Sequence, residues 1–237
     1  MDQTRSSRPP KRSEPIEAIE AEAVRELDKE LPIWGPALVV AAAIALDTAL
    51  PNKLTIGPTW LLPGLEALLL LGLVIASPRP KVRHSPARRR IAIALIAIVS
   101  ATNVVSLAVL CHLLVEGGKQ NGKSLIFSGV VLWGTNVLLF ALWYWELDSG
   151  GPLMRMRKRQ RHPDFLFVQM SAPQWAPKGW IPGLVDYLYL SLTNATAFSP
   201  TDTMPLTPTA KWLMGAQSLV ALVTVGLVVA RAVNILA

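Results

Sequence analysis

Asp186-Tyr-Leu-Tyr-Leu-Ser-Leu-Thr-Asn-Ala-Thr-Ala-Phe-Ser-Pro-Thr-Asp202, then Thr203-Met-Pro-Leu-Thr-Pro208, then an apolar run to Ala237: this stretch decides how the chain is read. An aromatic, hydroxyl-rich helix breaks at a Pro/Thr/Asp turn and leads into a run long enough to cross a bilayer. Backbone that leaves regular structure at membrane depth must face water or protein, because lipid offers it no hydrogen-bond partner. Residues 180–237 therefore read as a pore-loop-like helix, loop and helix.

The rest of the chain suits the same surroundings. Of 237 residues, 51% are hydrophobic and 16% charged. The apolar residues gather in runs of helix length, which marks an integral membrane protein and removes the need for a soluble core. A formal charge of +7 would suggest nucleic acid for a soluble protein. Here the bases sit in loops between apolar runs, the positive-inside pattern, so no nucleic acid is expected. Cys111 lies in an apolar run, and His84, His112 and His162 fall in separate segments. Neither a disulfide framework, a metal site nor a cofactor is expected from them. With no Gly-rich phosphate loop, no Ser/His/Asp order and no carboxylate pair in a cleft, no enzyme is expected either.

Taken in order, residues 1–31 are a basic, Pro/Ser-rich tail followed by an amphipathic helix, both on the cytoplasmic side. A first span over 33–50 has no small-residue cleavage site near it and is expected to be an anchor. Further spans are expected over 60–77, 91–116 and 124–147, so that 32–148 forms a four-helix transmembrane region. Arg79, Lys81, Arg83, Arg88, Arg89 and Arg90 precede the third span, and Arg155, Arg157, Lys158, Arg159 and Arg161 follow the fourth. Both clusters then lie on the cytoplasmic face, which makes 149–179 a basic, Pro/Trp-rich cytoplasmic loop.

Two topologies follow for the pore-like module, 180–237. If 180–198 crosses completely, a last span over 210–236 returns Arg231 to the cytoplasm. The fold is then an all-α polytopic bundle of six spans in the plasma membrane, both termini cytoplasmic and a broken hairpin at its C-terminal end. If 180–198 enters and leaves on one side, there are five spans and the final helix runs the other way. The positive-inside count favours six.

Polar side chains inside apolar spans cost a few kcal/mol each unless paired, so those that occur are the candidates. Thr193, Asn194, Thr196, Ser199, Thr201 and Asp202 offer hydroxyls, an amide and a carboxylate to a permeating cation. Gln217 and Thr224 share one face of the helix that follows. The same groups are equally suited to satisfying broken backbone and capping the last helix, with Thr207 or Thr209 as N-cap. Asn103 and Asn136 lie roughly 20 Å below one surface and are expected to pair between the third and fourth spans, fixing their register. Gly215, Ala216, Gly226 and Ala230 would let the last helix approach others closely, and self-association is expected.

Aligned on Asp202, the segment Asp202-Thr-Met-Pro-Leu-Thr-Pro-Thr-Ala-Lys211 resembles the Asp-x-x-Pro-x-Thr-Pro-x-Ala-Arg that often follows the filter of two-transmembrane potassium channels. Val228-Val-Ala-Arg231 also resembles the end of their inner helix. The filter departs from theirs: Ser199 and Thr201 stand where the family has glycines, and Pro200 where it has an aromatic. Glycine reaches the angles of an all-carbonyl filter cheaply and these residues do not, so potassium selectivity of the usual kind is not implied. The whole chain is also similar to uncharacterised multi-pass membrane proteins of bacteria that carry a Trp-Tyr-Trp-Glu-Leu-Asp-x-Gly-Gly-Pro segment, here 143–152, a likeness that implies no activity. The functional expectation is passive conduction of a monovalent cation by an oligomer in the lipid bilayer. A non-conducting membrane scaffold that binds partners is the alternative, and a proton-coupled transporter a third.

Overall fold

Helices α2 (Pro86–Val115), α3 (Gly122–Leu147) and α7 (Pro208–Leu236) are apolar on every side, the pattern of a helix set in lipid or buried among others. A computed structural model describes residues 34–50, 64, 67, 71, 86–115, 122–156, 162–197 and 202–236. Helix accounts for 83% of what it describes, which establishes a mainly helical protein. The remaining helices are α1 (Trp34–Thr48), α4 (Pro152–Met156), α5 (Val168–Ser171) and α6 (Leu184–Ala197), with single 3-10 turns at Asp148–Gly150 and Pro173–Trp175. Strands β1 (Phe165–Leu166) and β2 (Met204–Pro205) pair antiparallel, Phe165 opposite Pro205 and Leu166 opposite Met204.

Among the described residues three helices are long and apolar enough to cross a membrane, over Arg89–Leu113, Lys123–Gly150 and Pro208–Val233. They fall on the third, fourth and last expected spans. The first expected span is the 15-residue α1, which covers about 22 Å at 1.5 Å per residue against a core of about 30 Å. The second expected span falls outside the described residues except for helical positions at Gly64, Ala67 and Leu71, and the N-terminal amphipathic helix falls wholly outside them.

Helix α3 is the central post. Within its most apolar window 61% is buried in the protein, against 39% in α2 and 22% in α7, so α7 turns most of its surface outward. Trp212, Leu219, Leu222, Val229 and Val233 are exposed along it. Helices α1, α2 and α3 pack in layers: Val40, Ala43 and Ile44 meet Leu95, Val99, Leu139 and Leu142. Further along the same three helices, Leu50 meets Leu107, Leu110, Val131 and Leu132. On the other flank α3 and α7 come so close at Gly129 that a Cβ there would sit 2.3 Å from Val228 Cγ2.

Helix α6 starts beside the C-terminal end of α3, where Tyr187 is hydrogen-bonded to Asp148. It reaches partway along α3, to where Ala195 packs on Val137 and Ala221. The chain then comes back. Leu206 N–H donates to the Asp164 carbonyl (2.8 Å), β2 pairs with β1, and α7 sets out from the same end. Helices α6 and α7 thus run in the same direction. A complete crossing by 180–198 would put the flanking segments on opposite faces of a hydrocarbon core about 30 Å thick. The β1–β2 pair does not agree with that expectation. A physical reason is length, since the 14 residues of α6 cover only about 21 Å.

Candidate functional site

Ser191 and Asn194, one turn apart on α6, face Gln217 on α7 and Tyr144 on α3, and all four are at most 1% exposed. Tyr144 donates its hydroxyl to Gln217 Oε1 at 2.5 Å, and Asn194 Nδ2 donates to the same oxygen at 2.9 Å. Asn194 Nδ2 also reaches the Met214 carbonyl at 3.0 Å. Gln217 Nε2 donates to the Ser191 carbonyl (2.9 Å) and hydroxyl (2.6 Å), and Ser191 passes its own proton to the Val137 carbonyl at 2.6 Å. Ser218 donates to Asn194 Oδ1 at 3.3 Å. Both amides therefore have partners at oxygen and nitrogen alike. In a medium of low dielectric such a network is worth most when fully satisfied, and here it ties three helices at one depth.

The other expected residues fall elsewhere. Thr193 is half-buried and Thr196 exposed on the outer side of α6. Each hydroxyl bonds back to its own helix, Thr193 to the Tyr189 carbonyl (2.9 Å) and Thr196 to the Leu192 carbonyl (2.9 Å). Thr224 is 1% exposed and likewise bonds back to Val220 at 2.7 Å. Asp202 is exposed and accepts from the Thr203 hydroxyl at 3.5 Å. Ser199 and Thr201 lie outside the described residues. Asn103 and Asn136 are buried at 3% and 2%, yet they do not bond to each other. Asn103 Nδ2 donates to the Leu132 carbonyl at 3.3 Å instead. That carbonyl, one turn before Asn136, has a second lone pair to offer beyond its helical bond.

Sequence reasoning missed the knot that fastens the hairpin to the rest. Asp148 is fully buried. Its Oδ1 accepts from Asp164 N–H (2.8 Å) and the Ser149 hydroxyl (3.1 Å), and its Oδ2 from the Tyr187 hydroxyl. Arg155 donates to the Trp145 and Asp148 carbonyls, each at 2.8 Å, with its guanidinium carbon 5.0 Å above the Tyr187 ring. Asp164 accepts from Ser149 N–H (2.8 Å) and the Thr207 hydroxyl (2.6 Å), and the Thr207 oxygen in turn caps α7 by accepting from Ala210 N–H at 3.3 Å. The readable signal was Ser149-Gly-Gly151 straight after Asp148. All three have positive φ, and a Cβ on Gly151 would lie 3.0 Å from Arg89 Nε and 3.1 Å from the Glu146 carbonyl.

Arg89 enters that end from α2, donating to the Glu146 carbonyl at 2.9 Å with its Nε 3.7 Å from the Glu146 carboxylate. A pocket of about 500 Å³ opens there, lined by Arg89, Leu147, Ser149, Gly150, His162, Asp164 and Thr209. Among the described residues no three His, Cys, Asp or Glu side chains are grouped to hold a metal ion. Compared with known protein families, with curated proteins and with solved structures, the chain matches none.

Proposed function

We propose that this is a multi-pass protein of the plasma membrane whose 180–237 hairpin re-enters the bilayer, and that copies of the chain pass a monovalent cation between them. The observation that carries the reading is the common starting end of α6 and α7, with the chain folded back between them onto β1. A short helix that enters, an extended return and a long helix that leaves is how non-helical backbone is accommodated beside a water-filled path. Five spans result, with the C-terminus opposite the N-terminus. The path runs between protomers because Asn194 and Gln217 are saturated inside one. Thr193, Thr196 and Asp202 remain on the outward side. A threonine that gives its proton to its own helix still presents oxygen lone pairs to a cation. Around Gly215 and Gly226 nothing lies within 4 Å of where a Cβ would be, which leaves room for a second helix.

Purified protein in planar bilayers tests this. Cation current that falls at least about tenfold with Asp202→Ala, or with Thr196→Trp, is the expected result. A second reading, a non-conducting scaffold that presents α7 to a partner, is favoured by the saturation of the Tyr144, Ser191, Asn194 and Gln217 network, which behaves as packing. A sealed bilayer at every voltage, from protein shown to be inserted and folded, would leave the scaffold as the function.

A further inference from the structure

Between the two apolar layers of α1, α2 and α3 lies a polar one. Asp47, in the last turn of α1, is one turn beyond Ala43 and Ile44 and three residues before Leu50, just past the helix end, Asn103 stands between Val99 and Leu107 on α2, and Thr135 stands between Leu132 and Leu139 on α3. Each of the three is thus within one helical turn of members of both layers, so the same packing that joins those layers brings these side chains to one level. Leu46, next to Asp47, confirms the register: its Cδ1 would be 3.7 Å from a Cβ on Gly134, next to Thr135. Thr135 and Asn136 are about 12 to 13 residues in from Lys123 on α3, about 18 to 20 Å along the helix, well inside the apolar region. Asp47, Asn103, Thr135 and Asn136 are all at most 3% exposed.

This layer is not satisfied from within. Asp47 Oδ2, Thr135 Oγ1 and Asn136 Nδ2 are buried without a hydrogen-bond partner, whereas the Asn194 and Gln217 amides a few turns away have partners at both ends. Asn103 donates its nitrogen to the Leu132 carbonyl. Among the described residues one carboxylate stands here with neutral oxygens between two apolar layers, which matches a hard cation of single charge. Carboxylate, hydroxyl and amide oxygens suit such an ion, and one carboxylate makes the site neutral, whereas a divalent ion would strand a net charge at low dielectric. Protonating Asp47 instead adds a donor, which does nothing for the Asn136 nitrogen, itself a donor. The geometry points to a sodium-sized monovalent cation bound between α1, α2 and α3 by Asp47 and Thr135, with an amide oxygen of Asn103 or Asn136. Rotating the Asn136 amide presents its oxygen in place of its nitrogen, and the nitrogen gives up no hydrogen bond in the exchange.

The site is separate from the proposed path at the hairpin and stands or falls without it. The test is sodium binding to the purified full-length protein in detergent, by equilibrium dialysis with radiolabelled sodium and by thermal unfolding in sodium against choline chloride at equal ionic strength. About one sodium per protomer is expected, with a saturable rise in Tm that choline does not give. Asp47→Asn should weaken sodium binding on the order of 100-fold, and Thr135→Ala about tenfold, while Asp202→Ala, at the hairpin, should leave it unchanged. Wild-type protein that binds no sodium and unfolds at one temperature in both salts overturns the proposal. So does unchanged sodium affinity in Thr135→Ala, a milder change that keeps the test decisive if Asp47→Asn does not fold.

Discussion

Gln217 separates the two ways a polar side chain lives inside an apolar helix. It serves Tyr144, Asn194 and Ser191 at once, whereas Thr224, two turns on and equally buried, bonds only to its own Val220. Single interhelical hydrogen bonds in bilayers average about 0.6 kcal/mol, but removing a hub leaves several buried groups unpaired, each at about 1 to 3 kcal/mol. Gln217→Leu is therefore expected to destabilise the protein by about 3 kcal/mol, and Thr224→Val by under about 1 kcal/mol. Equilibrium unfolding in mixed micelles measures both, and equal losses would mean the network is not a hub. The sequence showed both as polar groups on one helical face. It did not show which had company, because the partners arrive from α6 and α3, 73 positions away in the case of Tyr144, and no local period reports that.

At the scale of the element, apolar run length was enough to place α2, α3 and α7. The start of α6 is later than the expected segment 180–198 had it: Pro182-Gly183 breaks the chain, and Gly183 N–H donates to the Asp186 carboxylate at 2.7 Å, a cap three residues ahead of its acceptor. What could not be read was β1 with β2. Strands of two residues carry no periodicity, and a Pro/Trp-rich loop looks the same whether it lies among headgroups or folds back on a hairpin. How closely α3 and α7 approach was equally hidden, although Gly129 hinted at it. Val228 is β-branched and stiff at χ1 in a helix, so it cannot swing aside. Gly129→Ala should cost about 1 to 3 kcal/mol by overpacking, and Val228→Ala in the same chain should recover most of that. A double-mutant cycle reads the coupling; strictly additive losses would show that the two helices yield elsewhere.

For the whole molecule the question is on which face 202–207 emerges. The positive-inside count favoured six spans by giving Arg231 a cytoplasmic place, but a single arginine near a chain end is weak against a folded contact. Asp164 holds the returning chain through the Leu206 N–H (2.8 Å) and the Thr207 hydroxyl (2.6 Å) beside the β1–β2 pair, and Tyr187 and Asp148 fasten the entering helix to the same point. These bonds hold Asp164, Leu206 and Thr207 together at the C-terminal end of α3, and with the long helices set across a bilayer the expected outcome is that 162–180 and 202–209 share one face. With Cys111 replaced by Ser, Gln174→Cys and Thr209→Cys, both exposed, should react with a membrane-impermeant maleimide from the same side of sealed vesicles. Asn121→Cys, between α2 and α3 in the sequence, should react only from the other, because one long helix separates it from Leu147. Gln174 and Thr209 labelling from opposite sides would restore a complete crossing by α6 and dissolve the β1–β2 pair. Labelling from one side leaves α6 in the bilayer without an exit of its own, and the backbone after Ala197 must then meet water or a second protomer, the condition on which conduction depends.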